Sequence, residues 1–148
     1  MIDLQPKNCN ICNGKVIYTS NSLIYGREYG SGKMYYCTEC GAYVGTHIAR
    51  PKEAFGILAN EEMRNMKMKC HKIFDEKWIH ENTIIQKKKA RKKAYTWLAS
   101  KLGISVYNCH FGYFDMNMLN KALIILESKI ERYPIMAERN DMNKKEFL

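Results

Sequence analysis

The sequence predicts an α+β fold in which an N-terminal three-stranded zinc ribbon is packed against a C-terminal domain of about three helices. Three observations carry the prediction. Four cysteines fall in two Cys-x-x-Cys pairs, apolar residues alternate between and after the pairs, and beyond Pro51 the apolar spacing changes to three and four residues. These changes divide the chain into a ribbon module over 1–50, a helical domain over 51–134 and a flexible tail over 135–148, where MAERNDMNKKEF mixes charges with few apolar anchors.

Cys9, Cys12, Cys37 and Cys40 follow C-x2-C-x24-C-x2-C, the paired spacing of a structural zinc site with a slightly long central spacer. Each turn offers two thiolates to two corners of a tetrahedron, and two turns close it, leaving no coordination position for a substrate. One structural Zn2+ ion is the expected cofactor. A thioredoxin-type redox pair needs a single Cys-x-x-Cys in a βαβ context, and neither condition is met. Gly41 directly after Cys40, and Gly14 two residues after Cys12, suit a chain leaving a metal-binding turn with positive φ. KVIYT, KMYYC and AYVGT alternate as strands, and NSLIYGREYGSG is rich in loop formers. So small a module buries little apolar surface, so the metal supplies much of its folding free energy, of order 10 kcal/mol in zinc peptides.

After Pro51, Asn60 is an N-cap candidate with Glu61 and Glu62 in the first turn, where they favour the helix dipole. Met63, Met66, Cys70, Ile73 and Phe74 then mark the apolar face, with Arg64, Lys67 and Lys69 on the other side. A second helix is expected over about 84–102, with Ala90, Ala94, Trp97 and Leu98 on one stripe and Gly103 as its stop. A third begins after Asp115 and buries Leu119, Ala122, Leu123, Leu126 and Ile130 before Pro134 forbids continuation.

The formal charge of +9 is uneven: residues 81–103 hold seven basic and one acidic side chain, and so six of the nine net charges. Lys87, Lys88, Lys89, Arg91, Lys92 and Lys93 wrap nearly the whole circumference of the second helix, which fits contact with phosphates or a solvated helix end. Their place near the helix N-terminus opposes the dipole. In the ribbon, Tyr25, Tyr29, Tyr35, Tyr36 and Tyr43 crowd together with Arg27 and Lys33 nearby, a candidate stacking or protein-binding surface on which sheet propensity accounts for about half of the tyrosines.

Other features exclude more than they assign. No stretch of about 18 apolar residues exists to span a membrane, and the N-terminus lacks a secretory pattern, so a cytoplasmic location is expected, with no membrane partner and no small-molecule substrate. Cys70, His71, Cys109 and His110, with His47 and His80 elsewhere, have no spacing that demands a second metal or a thiol nucleophile; Cys70 reads as a small core residue. Asp75, Glu76 and Asp115 are explained by helix ends, and GREYGSGK lacks P-loop spacing. The expectation is a protein that is not an enzyme.

The succession of the two Cys-x-x-Cys turns, the LAN and FDEKW blocks, WLASKLGI and CHFGYFD resembles a family of small phage-encoded zinc-finger-containing proteins over about residues 9–125. Cys9, Cys12, Cys37 and Cys40 take that family's metal positions without departure. The resemblance implies a protein of mobile elements, acting in the bacterial host's cytoplasm. By analogy it implies an anti-CRISPR inhibitor of a type II effector nuclease that obstructs DNA loading. A chain this basic does not suit a DNA mimic, which must present negative charge. The partner is thus expected to be a host protein, with DNA or RNA, in phage replication, recombination or transcription control, as the alternative.

Overall fold

Alternating residues after each cysteine pair become strands, and the three-to-four spacing after Asn60 becomes helices. The computed structural model describes residues 2–129; the tail expected over 135–148, Ile130 and Pro134 lie outside the described residues. Strands β1 (Val16–Ser20), β2 (Lys33–Cys37) and β3 (Tyr43–Gly45) and a single turn of helix, α1 (Ser22–Tyr25), come first. Helices α2 (Glu61–Asp75), α3 (Ile84–Leu102) and α4 (Met116–Lys129) follow, with two 3-10 turns, Val106–Asn108 and Phe111–Tyr113, before α4. The architecture is α+β, and it divides into two compact units, one up to Asn65 together with Gly112–Asp115, the other Met66–Phe111 together with the chain from Met116.

In the first unit the strands form an antiparallel sheet in the order β1-β2-β3. Val16 opposes Cys37 and Tyr35 opposes Val44, so one face carries these residues inward, while Tyr18, opposite Tyr35 on the same face, stays exposed at the sheet edge. There Cys9, Val16, Tyr35, Cys37, Ala42, Ala54 and Leu58 form the core, with Val44 against it. The change of pattern at Pro51 predicts the helical domain from there, but residues 53–59 are tied to the sheet by backbone bonds. Phe55 N–H donates to the Gly45 carbonyl, and Tyr43 and Ala59 exchange both of theirs. Asn10 anchors the same segment, its Nδ2 donating to Leu58 O at 3.0 Å and its Oδ1 accepting from Leu58 N at 2.9 Å.

The second unit buries Cys70, Phe74, Ala94, Leu98, Ala99, Cys109, Phe111, Leu119, Ala122 and Leu126. Phe74 packs on the rings of Tyr95 and Phe111, with centroids 4.5 and 5.5 Å away. Capping chemistry sets the helix ends where the sequence places them. Met63 N–H donates to Asn60 Oδ1 at the start of α2, and Gln86 N–H to Thr83 Oγ1 at the start of α3. Gly103, at φ 72°, ends α3 by donating to the Ala99 and Ser100 carbonyls.

Candidate metal centre

The two Cys-x-x-Cys turns are the same object built twice. In each, the first cysteine's N–H donates to the carbonyl five residues on (Cys9 to Gly14, Cys37 to Ala42), and its carbonyl accepts from the residue after the second cysteine (Asn13, Gly41). That acceptance requires the left-handed conformation: φ is 65° at Asn13 and 81° at Gly41. The sequence assigns the positive φ of the first turn to Gly14, and the structure corrects this. Asn, whose short polar side chain tolerates that region, takes it one residue earlier. Gly14 is needed for another reason, since a Cβ there would stand on the Glu39 side chain and 3.0 Å from Cys37 Sγ.

This geometry delivers four sulfurs to one point. The Sγ atoms of Cys9, Cys12, Cys37 and Cys40 all lie within 4.8 Å of one another. Across the two turns Cys9 and Cys40 are 3.7 Å apart, and Cys12 and Cys37 are 3.5 Å apart. A tetrahedral zinc with bonds of about 2.3 Å sets its sulfurs about 3.8 Å apart, so the set fits the ion. Backbone N–H groups already point at the sulfurs: Ile11 at Cys9 (3.3 Å), Gly14 at Cys12 (3.3 Å), and both Glu39 and Cys40 at Cys37 (3.4 Å each). They stabilise thiolate charge.

Two of the four thiols, Cys12 and Cys40, resist ionisation without a metal. The Cys40 N–H, opposed by burial and helped by the Glu39 N–H and neighbouring thiols, lowers Cys37 to about 7. Cys12 is pushed up to about 12: the Gly14 N–H favours its thiolate, but the Cys37, Cys40 and Cys9 sulfurs and burial outweigh it. Cys40 is also raised, the Ala42 N–H being outweighed by burial and by Cys37 and Cys9. Cys37 ionises readily, and Cys12 and Cys40 resist ionisation until a divalent cation neutralises the sulfur charge. When bound, zinc would be held by these four residues and would supply structure, all four tetrahedral positions being protein sulfur.

The other thiols take no part. Cys70 and Cys109 are buried, and burial lifts both to about 11. Cys70 Sγ lies 3.7 Å from the Leu119 carbonyl, to which it donates. His71 stands edge-on to Phe111, and the His110 ring lies 6.1 Å from that of Tyr95. Among the described residues the four ribbon cysteines are the one group of three or more His, Cys, Asp or Glu side chains close enough to share a metal.

The candidate partner-binding residues separate into two sets. Tyr25, Tyr29 and Lys33 line one groove of about 470 Å³ in the first unit, which Tyr43 and Phe55 also line; Arg27 is exposed in the same loop but outside the lining. Tyr35 is buried, its hydroxyl donating to Lys52 O at 2.6 Å, and Tyr36 is half-buried. On α3, Lys88, Lys89, Lys92 and Lys93 are exposed and Lys87 is half-buried. Arg91 is committed elsewhere, its guanidinium lying 4.9 Å over the Tyr95 ring and 5.7 Å from that of Trp78. The six cations begin at Lys87, the fourth residue of α3, near the helix N-terminus where they oppose the dipole.

A three-stranded antiparallel sheet, two thiolate turns and a closed four-sulfur tetrahedron define a zinc-ribbon protein with one structural zinc site. A family model described as a zinc-finger-containing domain matches residues 5–129, and the chain belongs to that family. No curated protein and no solved structure gives a significant match. No helix among the described residues is long and apolar enough to cross a membrane.

Proposed function

We propose that this chain is a non-catalytic, zinc-stabilised module that binds nucleic acid through the exposed cationic face of α3. One observation carries the reading. Lys88, Lys89, Lys92 and Lys93 are exposed within two turns, and none of them forms an ion pair with a described residue. Lys89, Lys92 and Lys93, with Thr96 and Trp97, line a shallow groove of about 510 Å³, a stripe at helical spacing that can follow a phosphate backbone. A closed four-cysteine site supports a structural role for the metal.

Fluorescence anisotropy across a salt series tests it. Log affinity for a labelled oligonucleotide should fall linearly with log salt, and Lys88→Gln, Lys89→Gln, Lys92→Gln and Lys93→Gln together should flatten the slope by about 0.7–0.9 per lost phosphate contact. An unchanged slope rejects the helix as the contact surface. A second reading, a phage inhibitor of a type II CRISPR effector nuclease, is favoured by the exposed apolar side chains Tyr29, Ile48 and Phe55. It requires a stoichiometric complex with the purified effector that survives moderate salt, and no nuclease-sensitive bridge.

A further inference from the structure

The sheet face opposite the core is built differently from a solvated face. Met34 on β2, only 1% exposed, and Gly45 on β3 oppose each other there. The Phe55 ring packs beside Gly45, where even a Cβ would sit in ordinary contact, 3.5 Å from it. Tyr25 and Tyr29 stand over this floor from the β1–β2 loop, and with Tyr43 and Phe55 they bring four rings to one groove. Tyr25, Tyr29 and Phe55 are 54%, 69% and 53% exposed. The Tyr25 and Tyr29 centroids are 5.8 Å apart with planes 60° from parallel, so the two rings are tilted and not stacked face to face.

Exposed aromatic rings in a loop are ordinary; the way this loop is held is not. Asn21 is 6% exposed and uses both ends of its amide on one residue, donating to Tyr29 O at 2.6 Å and accepting from Tyr29 N at 3.1 Å. A buried amide thus fixes the backbone under the most exposed tyrosine of the groove. Gly26, Gly30 and Gly32, all at positive φ, let the chain turn on either side of it. Lys33 is the charged side chain of the lining; the nearby Arg64 guanidinium is held against the back of the site, 4.2 Å over the Tyr43 ring and donating to Ala59 O at 2.7 Å. Glu28 reaches Lys33 only at 4.0 Å, in an exposed pair that solvent screens. The buried floor hydroxyls are bound within the protein, Thr46 Oγ1 to Ser31 Oγ at 2.6 Å, and so do not read base edges.

We infer that this groove takes unstacked bases of a single-stranded nucleic acid, with Tyr25 and Tyr29 as stacking platforms and Lys33 facing the backbone. The inference rests on the nucleic-acid reading of α3 and narrows it: single strands are preferred to duplexes, with little sequence preference. Stacked bases in a duplex cannot reach the ring faces, whereas an unpaired base presents a π face whatever its identity.

Anisotropy with an oligothymidylate of about 12 nucleotides, and with a duplex of equal length, tests it against three variants. The strand should bind more tightly than the duplex. Tyr25→Ala with Tyr29→Ala should lose roughly tenfold or more for the strand and leave duplex affinity and salt slope alone, while Tyr25→Phe with Tyr29→Phe should keep the wild-type preference. Equal strand affinity in the alanine variant, or equal losses on strand and duplex, overturns the groove and leaves the α3 reading standing. If the four-lysine glutamine variant keeps the wild-type salt slope while the alanine variant loses the strand, α3 is rejected and the groove stands. Binding of neither nucleic acid rejects both.

Discussion

At the scale of single residues, the metal centre depends on side chains that carry no sulfur. Asn13 and Gly41 hold equivalent left-handed positions, and only at Asn13 is there a Cβ to strain. Asn13→Ala should therefore destabilise the zinc-loaded protein by about 1 kcal/mol, while Asn13→Gly stays close to wild type, in denaturant melts at saturating zinc. Gly14→Ala acts on the metal itself, because its Cβ would press on Cys37 Sγ. Chelator competition should show zinc affinity reduced roughly tenfold, the lower end of the cost of overpacking. The thiols divide just as sharply. Cys37→Ser should abolish stoichiometric zinc, whereas Cys70→Ala and Cys109→Ala should each retain one ion per chain by elemental analysis, at a cost in stability from the cavity each leaves. The four ligands were legible from spacing alone, because two short turns must present their sulfurs together. The αL residue of the first turn was not: a glycine nearby drew the assignment, and the neighbouring Asn could be preferred only once the repeated hydrogen bonds were visible.

At the scale of elements, α3 shows where sequence is sufficient and where it stops. Its ends were legible because Gly103 can act locally as a stop and the periodic pattern begins just after Thr83. Residues 53–59 were not, since a segment with no strand pattern joins the sheet through backbone bonds and through Asn10, 48 positions away from its partner Leu58 in sequence. The groove rings were visible as a crowd of tyrosines, but Phe55 comes from beyond the ribbon and only the fold brings it in. The charges of α3 also gain a consequence from the helix. Lys88 with Lys92, and Lys89 with Lys93, are like-charged pairs four residues apart, each destabilising by about 0.2–0.5 kcal/mol. Lys88→Glu with Lys89→Glu turns both repulsions into attractions in the favoured acid-before-base order. The double variant should gain about 1 kcal/mol of stability at low salt, with the gain fading as salt screens it. If it also loses nucleic-acid affinity, the wild-type helix gives up stability for binding; a stabilised variant with full affinity would assign the lysines to solvation.

At the scale of the whole molecule, the two units draw their stability from different sources. The helical unit buries aromatic and aliphatic side chains, among them Phe74, Leu98, Phe111, Leu119 and Leu126, and its described part contains no cluster that could bind a metal. The sheet unit has a core in which two of the seven buried residues, Cys9 and Cys37, are themselves ligands. Taking away the ion leaves those sulfurs with unfavourable company, because Cys12 and Cys40 are already pushed up by their neighbours and cannot share charge without a cation. A strong chelator should therefore unfold the sheet unit and spare most of the helices. Near-ultraviolet ellipticity from the ribbon tyrosines should collapse, while the 222 nm signal of α3 and α4 largely persists and melts later in a separate transition. Acid should do the same. The ligands must be deprotonated to bind, so zinc affinity is full at alkaline pH and falls as protons compete, and titration at neutral pH should release at least about two protons per ion, from Cys12 and Cys40. A single cooperative loss of both signals on chelation would show that the helical unit depends on the ribbon for its fold, and a chain that keeps its tyrosine signal without zinc would remove the ion from the folding account altogether.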